Sequence, residues 1–161
     1  MIDLRPLTEA DLELVDEWFD APHVRHWWVE DKASQYLPVL AGDDPMRVLI
    51  AVHDERPVGL GQWYRWDDEP SRVLYGFPEG AAGIDYLIGH AHDCERGLGT
   101  ALIAALVEAT APYPLWVPVE ETNEPSRRVL EKNGFQLVTV KKVDVPEEPW
   151  AGPQAIYQLI R

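Results

Sequence analysis

Apolar and polar positions alternate from the start of the chain. Residues 2–6 read as a short strand, and Thr8-Glu9-Ala10-Asp11 then resembles a helix capping box. Leu12, Val15 and Phe19 follow at helical spacing, which predicts a helix ending near Asp20, before Ala21-Pro22. A second helix is expected within residues 31–41, interrupted at Pro38. Residues 47–53 read as a strand, Asp54-Glu55-Arg56-Pro57 as a turn, and 58–66 as the second strand of a hairpin. Residues 67–82, broken by Pro70, Gly76, Pro78 and Gly80, read as a loop. Gly83-Ile84-Asp85-Tyr86-Leu87-Ile88-Gly89 is a strand carrying one carboxylate. Arg96-Gly97-Leu98-Gly99-Thr100 is a glycine turn, and it opens a helix continuing through Ala101-Leu102-Ile103-Ala104-Ala105-Leu106-Val107. Residues 114–119 form a strand, and 123–133 a helix that Gly134 closes. Two last strands, near 135–143 and 154–160, flank a Pro-rich loop. Hairpins come first, and strands then alternate with helices. This order predicts an α/β fold with a mixed central sheet and helices on both faces.

Composition narrows the class of protein. At 161 residues, 46% of them hydrophobic, the chain is expected to be a single domain with a substantial core rather than a disordered one. No apolar run is long enough to span a bilayer, the first residues lack a signal peptide's character, and the single cysteine, Cys94, excludes an internal disulfide. A cytoplasmic protein, with no membrane partner, is expected. Fourteen basic against 28 acidic residues give a formal net charge of −14, which repels nucleic acid and concentrates cationic small molecules.

A helix that starts in glycines offers unpaired N–H groups and the positive end of its dipole to phosphate. A strand ending beside it can place Asp85 next to whatever a phosphate-bearing donor delivers. That layout is expected of an acyl-CoA-dependent transferase. Transfer to an amine in turn needs a site that gathers ammonium groups, which agrees with the acidic balance.

Cys94-Glu95-Arg96-Gly97-Leu98-Gly99 resembles the acyl-CoA pyrophosphate loop of the GNAT N-acetyltransferase superfamily, with Cys94 standing where the family has Gln or Arg. Downstream, the run from Asn123-Glu124-Pro125-Ser126 to Glu131-Lys132-Asn133-Gly134-Phe135 is similar to the family's second motif. The resemblance implies a GNAT fold over residues 1–161, with a central sheet of about six or seven strands. It further implies acetyl-CoA as donor, a pyrophosphate site at Arg96, Gly97, Leu98, Gly99 and Thr100, and a pantetheine groove at Asn123, Ser126 and Arg128. Asn123 is equally placed to cap its helix. Many relatives carry a Tyr, held to serve the departing thiolate, where this chain has Leu130.

Glu17-Trp18-Phe19, Pro22-His23-Val24-Arg25-His26-Trp27-Trp28, Gln35-Tyr36-Leu37-Pro38, Pro57-Val58-Gly59 and Gly83-Ile84-Asp85 are together similar to the aminoglycoside 6'-N-acetyltransferase branch. In that branch the Asp of this strand is the proposed base, which corresponds to Asp85. A carboxylate there can bind an ammonium, orient it and take its proton, with the backbone N–H groups around Leu87 and Ile88 facing the oxyanion. Trp27, Trp28, Trp63 and Trp66 are candidates for the acceptor pocket, although tryptophans more often pack than bind. Glu120 and Glu121 either hold further ammonium groups or form an exposed turn. The pairs His23/His26 and His90/His92 lack a third ligand, so no metal is expected. The partner is thus a cationic small-molecule amine, and the chain a monomer or homodimer. Two rivals remain open. One is an acetyltransferase for protein N-termini or for metabolite or siderophore amines, and the other an acyl-CoA-binding module without catalysis.

Overall fold

A computed structural model of the chain describes residues 1–143 and 152–161. The Pro-rich loop expected between the last two strands lies mostly outside the described residues. Seven strands form a mixed sheet in the order β1-β2-β3-β4-β5-β7-β6. They are β1 (Asp3–Pro6), β2 (Arg47–His53), β3 (Arg56–Arg65), β4 (Ala82–Ile88), β5 (Leu115–Glu120), β6 (Gln136–Lys142) and β7 (Pro153–Leu159). The helices are α1 (Leu12–Asp20), α2 (Pro22–Arg25), α3 (Leu37–Leu40), α4 (Arg72–Tyr75), α5 (Ala91–Cys94), α6 (Leu98–Ala109) and α7 (Glu124–Lys132). The chain divides into two compact units, Met1–Trp63 with Asp85–Leu106, and Tyr64–Ile84 with Val107–Arg161.

In the first unit β1, β2 and β3 are antiparallel, with Leu4 opposite Ala51 and Ile50 opposite Leu60. The β2–β3 turn is tighter than the sequence suggests. Asp54 and Glu55 both adopt positive φ (50° and 61°), as a two-residue hairpin turn requires, so β3 already begins at Arg56. One sheet face carries Val48, Ile50, Leu60 and Leu87, packed against Val15, Trp18 and Phe19 of α1, Val24 of α2 and Tyr36. Each such side chain contributes about 1.5–3 kcal/mol when fully buried. On the opposite face α6 lies so close to β3 that a Cβ on Gly61 would sit 2.9 Å from Leu106 Cδ2. Helices therefore cover both faces, as expected. Pro38 does not interrupt a helix. It stands in the first turn of α3, where its missing N–H is harmless, after a 3-10 turn at Ala33–Tyr36.

The start of α1 is fastened by charge. The Asp11 carboxylate accepts from the Thr8 N–H (2.8 Å) and hydroxyl (3.0 Å), the carboxylate half of the expected capping box. It also takes both arms of the Arg5 guanidinium from β1, at 2.8 Å each. The Arg5 hydrogen bonds outweigh burial and, with those from Thr8, hold the Asp11 carboxyl at about 2.

In the second unit β4 and β5 meet in parallel at Ala82 and Leu115, and β5, β7 and β6 follow antiparallel. Residues 66–77 depart from the expectation. Trp66 leaves β3 for a 3-10 turn, and α4 occupies part of the expected loop, ending at Gly76 in the left-handed conformation. Trp66, Tyr75 and Phe77 form an aromatic core with Ala81, Val143 and Ile156. The other side of β7 meets α7. Tyr157 donates to Glu131 (2.7 Å) and accepts from Arg127 Nε (3.0 Å).

Two consequences can be measured. A Cβ on Gly89 would fall within the buried Trp18 indole, whereas one on Gly152 meets nothing within 4 Å among the described residues. Gly89→Ala is therefore expected to cost about 3 kcal/mol, read as a fall in Tm of roughly 6–12 °C, with Gly152→Ala close to the parent. Asp11→Asn should destabilise the chain by roughly 1–2 kcal/mol at neutral pH. Because folding lowers the Asp11 pKa from the ordinary value near 3.9, that contribution is complete above about pH 5 and lost as pH falls through 2. Urea titrations at several pH values should show the gap between parent and Asn variant closing in acid.

Candidate active site

Asp85 lies on β4 and is half-buried. Because strand residues alternate, it shares a face with Leu87, which belongs to the apolar cluster under α1. A carboxylate among apolar side chains needs donors. Gln62 of β3 supplies one, its Nε2 donating to Asp85 Oδ2 at 3.0 Å. The Gln62 Oε1 accepts in turn from the Tyr36 hydroxyl at 2.8 Å. Burial pushes the Tyr36 phenol far above its usual pKa, with lesser contributions from Asp31 and Asp85, so it remains protonated and able to donate. Neither Gln62 nor Tyr36 was assigned a role from sequence. The signal available for Gln62 was an amide at a buried position beside the apolar Val58-Gly59-Leu60 run.

The aromatic candidates separate. Trp28 is half-buried against Phe19 (ring centroids 5.6 Å apart), and Trp27 is half-buried with the His26 ring edge-on at 4.4 Å. Trp63 neighbours Gln62 in β3, so alternation sends it to the opposite face of the strand, away from the carboxylate. Trp66 is a core residue, 3% exposed, with its Nε1 donating to the Trp116 carbonyl at 2.8 Å.

After β4 the chain is tied down closely. The Gly89 N–H donates to the Val58 carbonyl (2.8 Å), and His23 Nε2 lies 2.8 Å from the Ile88 carbonyl, so it is the ring N–H that faces it. Leu87 and Ile88 are buried. The short α5 then carries Asp93, which is fully buried. It accepts from Arg56 at the hairpin (3.2 Å) and from Arg96 in the glycine turn (2.9 Å). Burial opposes ionisation of Asp93, but the two guanidiniums prevail and hold it below the usual carboxylate range. Arg96 was expected to face a ligand phosphate. Here its guanidinium, half exposed, also ties the loop to Asp93.

Gly97 adopts φ 77°, a left-handed conformation suited to glycine, and its carbonyl accepts from the Ala101 N–H to begin α6. Leu98, Gly99 and Thr100 form the first turn of that helix, where amides lack intrahelical acceptors. Cys94 is the last residue of α5. Burial and then the nearby Asp93 carboxylate push its thiol pKa up, which does not suit a nucleophile.

In the second unit Asn123 is the N-cap of α7, its side chain accepting from the Ser126 N–H at 3.3 Å. Ser126 is half-buried, and the exposed Arg128 pairs with Glu124 at 3.4 Å. Leu130, at the position where relatives carry a Tyr, is 1% exposed and packs into the core. Glu120 ends β5 half-buried, and Glu121 is exposed, its carbonyl taking a hydrogen bond from Arg127.

Known proteins resemble the chain in sequence and in fold. Residues 8–144 match the model of the GNAT acetyltransferase domain. Aminoglycoside N(6')-acetyltransferase type 1 of Klebsiella pneumoniae is 30% identical over 155 residues, covering 84% of this chain and 74% of the relative. The protein of the same name from Serratia marcescens aligns with the same identity and coverage. Crystal structures of the aminoglycoside acetyltransferase AAC(6')-Ib, one with coenzyme A and one with coenzyme A and kanamycin, each superpose with a TM-score of 0.80 at 27% identity. Each covers 100% of this chain and 95% of that one. The matched stretch takes in Asp85, the glycine turn and the Asn123 helix, and the chain belongs to the GNAT family of acetyltransferases.

Proposed function

We propose that this chain transfers an acetyl group from acetyl-CoA to a primary amine, the 6'-amine of an aminoglycoside, by direct attack of the amine on the thioester. The observation that carries the reading is the Asp85 carboxylate on β4, held by Gln62 in a chain 30% identical to aminoglycoside N(6')-acetyltransferases. The whole of residues 1–161 is taken as one domain of the family, in keeping with a match that runs through both compact units.

The amine arrives mostly as ammonium and has to lose a proton before it can attack. Asp85 pairs with the ammonium, orients it and accepts that proton. The freed nitrogen forms a bond to the thioester carbonyl carbon, and the oxyanion is met by backbone N–H groups at Leu87 and Ile88. Collapse breaks the C–S bond, the nitrogen sheds its second proton to give the amide, and the released CoA thiolate takes up that proton. The pyrophosphate of the donor is assigned to the amides of Leu98, Gly99 and Thr100, where Gly97 turns the chain and the helix dipole favours an anion. Arg96 serves there by fixing the loop through Asp93. Asn123, Ser126 and Arg128 are assigned to the pantetheine arm. Trp27 and Trp28 are assigned to the acceptor, and Glu120 and Glu121 to its further ammonium groups. The net charge of −14 favours capture of such a polycation.

Asp85→Asn tests the assignment. Turnover should fall roughly 10²–10⁴-fold while acetyl-CoA affinity stays within about twofold, the pattern of a lost proton acceptor. Parental turnover in that variant would remove Asp85 from the mechanism.

A further inference from the structure

We propose that Gln62 and Tyr36 are positioning residues for the Asp85 carboxylate, and that Tyr36 acts only through Gln62. This rests on the reading of Asp85 as proton acceptor.

The three residues come from separate parts of the first unit: Tyr36 from the 3-10 turn before α3, Gln62 from β3 and Asp85 from β4. Tyr36 is 2% exposed and Gln62 8%. Around them the face is apolar, built from Val15, Phe19, Val48, Ile50, Leu60 and Leu87. On such a face a leucine or methionine would pack as well as a glutamine, so the amide calls for a polar reason.

Its orientation follows from its neighbours. An ionised carboxylate only accepts, so the Gln62 NH₂ end has to face Asp85, where Nε2 stands 3.0 Å from Oδ2. The carbonyl end then needs a donor, and the Tyr36 hydroxyl provides one at 2.8 Å. Tyr36 can keep that role because burial keeps the phenol protonated. A flipped amide would set Oε1 against the carboxylate and lose both bonds. The hydroxyl thus selects one of two amide orientations, and that orientation fixes one oxygen of the carboxylate.

Tyr36→Phe removes only the hydroxyl, and Gln62→Met keeps length while removing both bonds. We expect kcat with the amine to fall about fivefold in the first and about 30-fold in the second, with KM for acetyl-CoA near the parent's. The double variant should be no slower than Gln62→Met alone, because the hydrogen-bonded route from Tyr36 to Asp85 runs through the Gln62 amide. Packing damage alone would lower Tm and the yield of active protein without that pattern in kcat. Parental kcat in Tyr36→Phe, or losses that multiply in the double variant, would overturn the proposal. Should Gln62→Met not fold, the kcat of Tyr36→Phe decides by itself. If Asp85→Asn is slow while Tyr36→Phe is at the parental rate, positioning fails and the assignment of Asp85 stands. If Asp85→Asn turns over normally, the assignment itself has failed.

Discussion

A carboxylate on an apolar sheet face has to be given donors, and the inner surface of the first unit is organised around meeting that demand. Asp85 shares its face of β4 with Leu87, and the cluster beneath α1 is otherwise hydrocarbon. Half-buried there, the carboxylate is only partly solvated, and the neighbouring strand does part of that work through Gln62. The β2–β3 hairpin fixes Gln62 opposite Val48, on the face from which it reaches Asp85. It does so with a two-residue turn whose central residues both take positive φ. The 3-10 turn ahead of α3 then delivers Tyr36 to the far side of the amide.

Close approach is the second condition. Gly89 lets the Trp18 indole settle against the end of β4, and Gly61 lets α6 lie on the opposite face of β3. α6 is therefore anchored by packing through Leu106, while the loop before it is held by charge. Buried Asp93 links Arg96 in the glycine turn to Arg56 at the hairpin. A loop fixed in this manner has its backbone amides already set, and less order would be lost if a ligand bound there.

Much of the architecture was legible in the sequence because it rests on local rules. Alternation marked the strands, Thr8-Glu9-Ala10-Asp11 marked the start of α1, and Gly134 marked the end of α7, where it adopts φ 87°. Asp85 and the glycine turn could be picked out because their chemistry is carried by short runs. What depended on distant contacts stayed hidden. Trp66 looked like a binding aromatic until its indole N–H met the Trp116 carbonyl, 50 residues away. Trp63 shared that promise, but strand alternation turns it from the carboxylate. Gln62 read as one polar position in an apolar strand, and its meaning comes from partners 26 and 23 residues distant. Pro38 read as a break because the 3-10 turn that makes it a first-turn proline has no strong sequence signature.

The most direct measurement is acetyl-CoA-dependent release of free thiol with paired aminoglycosides that differ only in a 6'-amine or a 6'-hydroxyl. An acceptor site built around a proton-accepting carboxylate should turn over the amine and leave the hydroxyl compound untouched. Turnover of neither, with acetyl-CoA binding confirmed, would contradict the account and point to a peptide or metabolite amine as the acceptor.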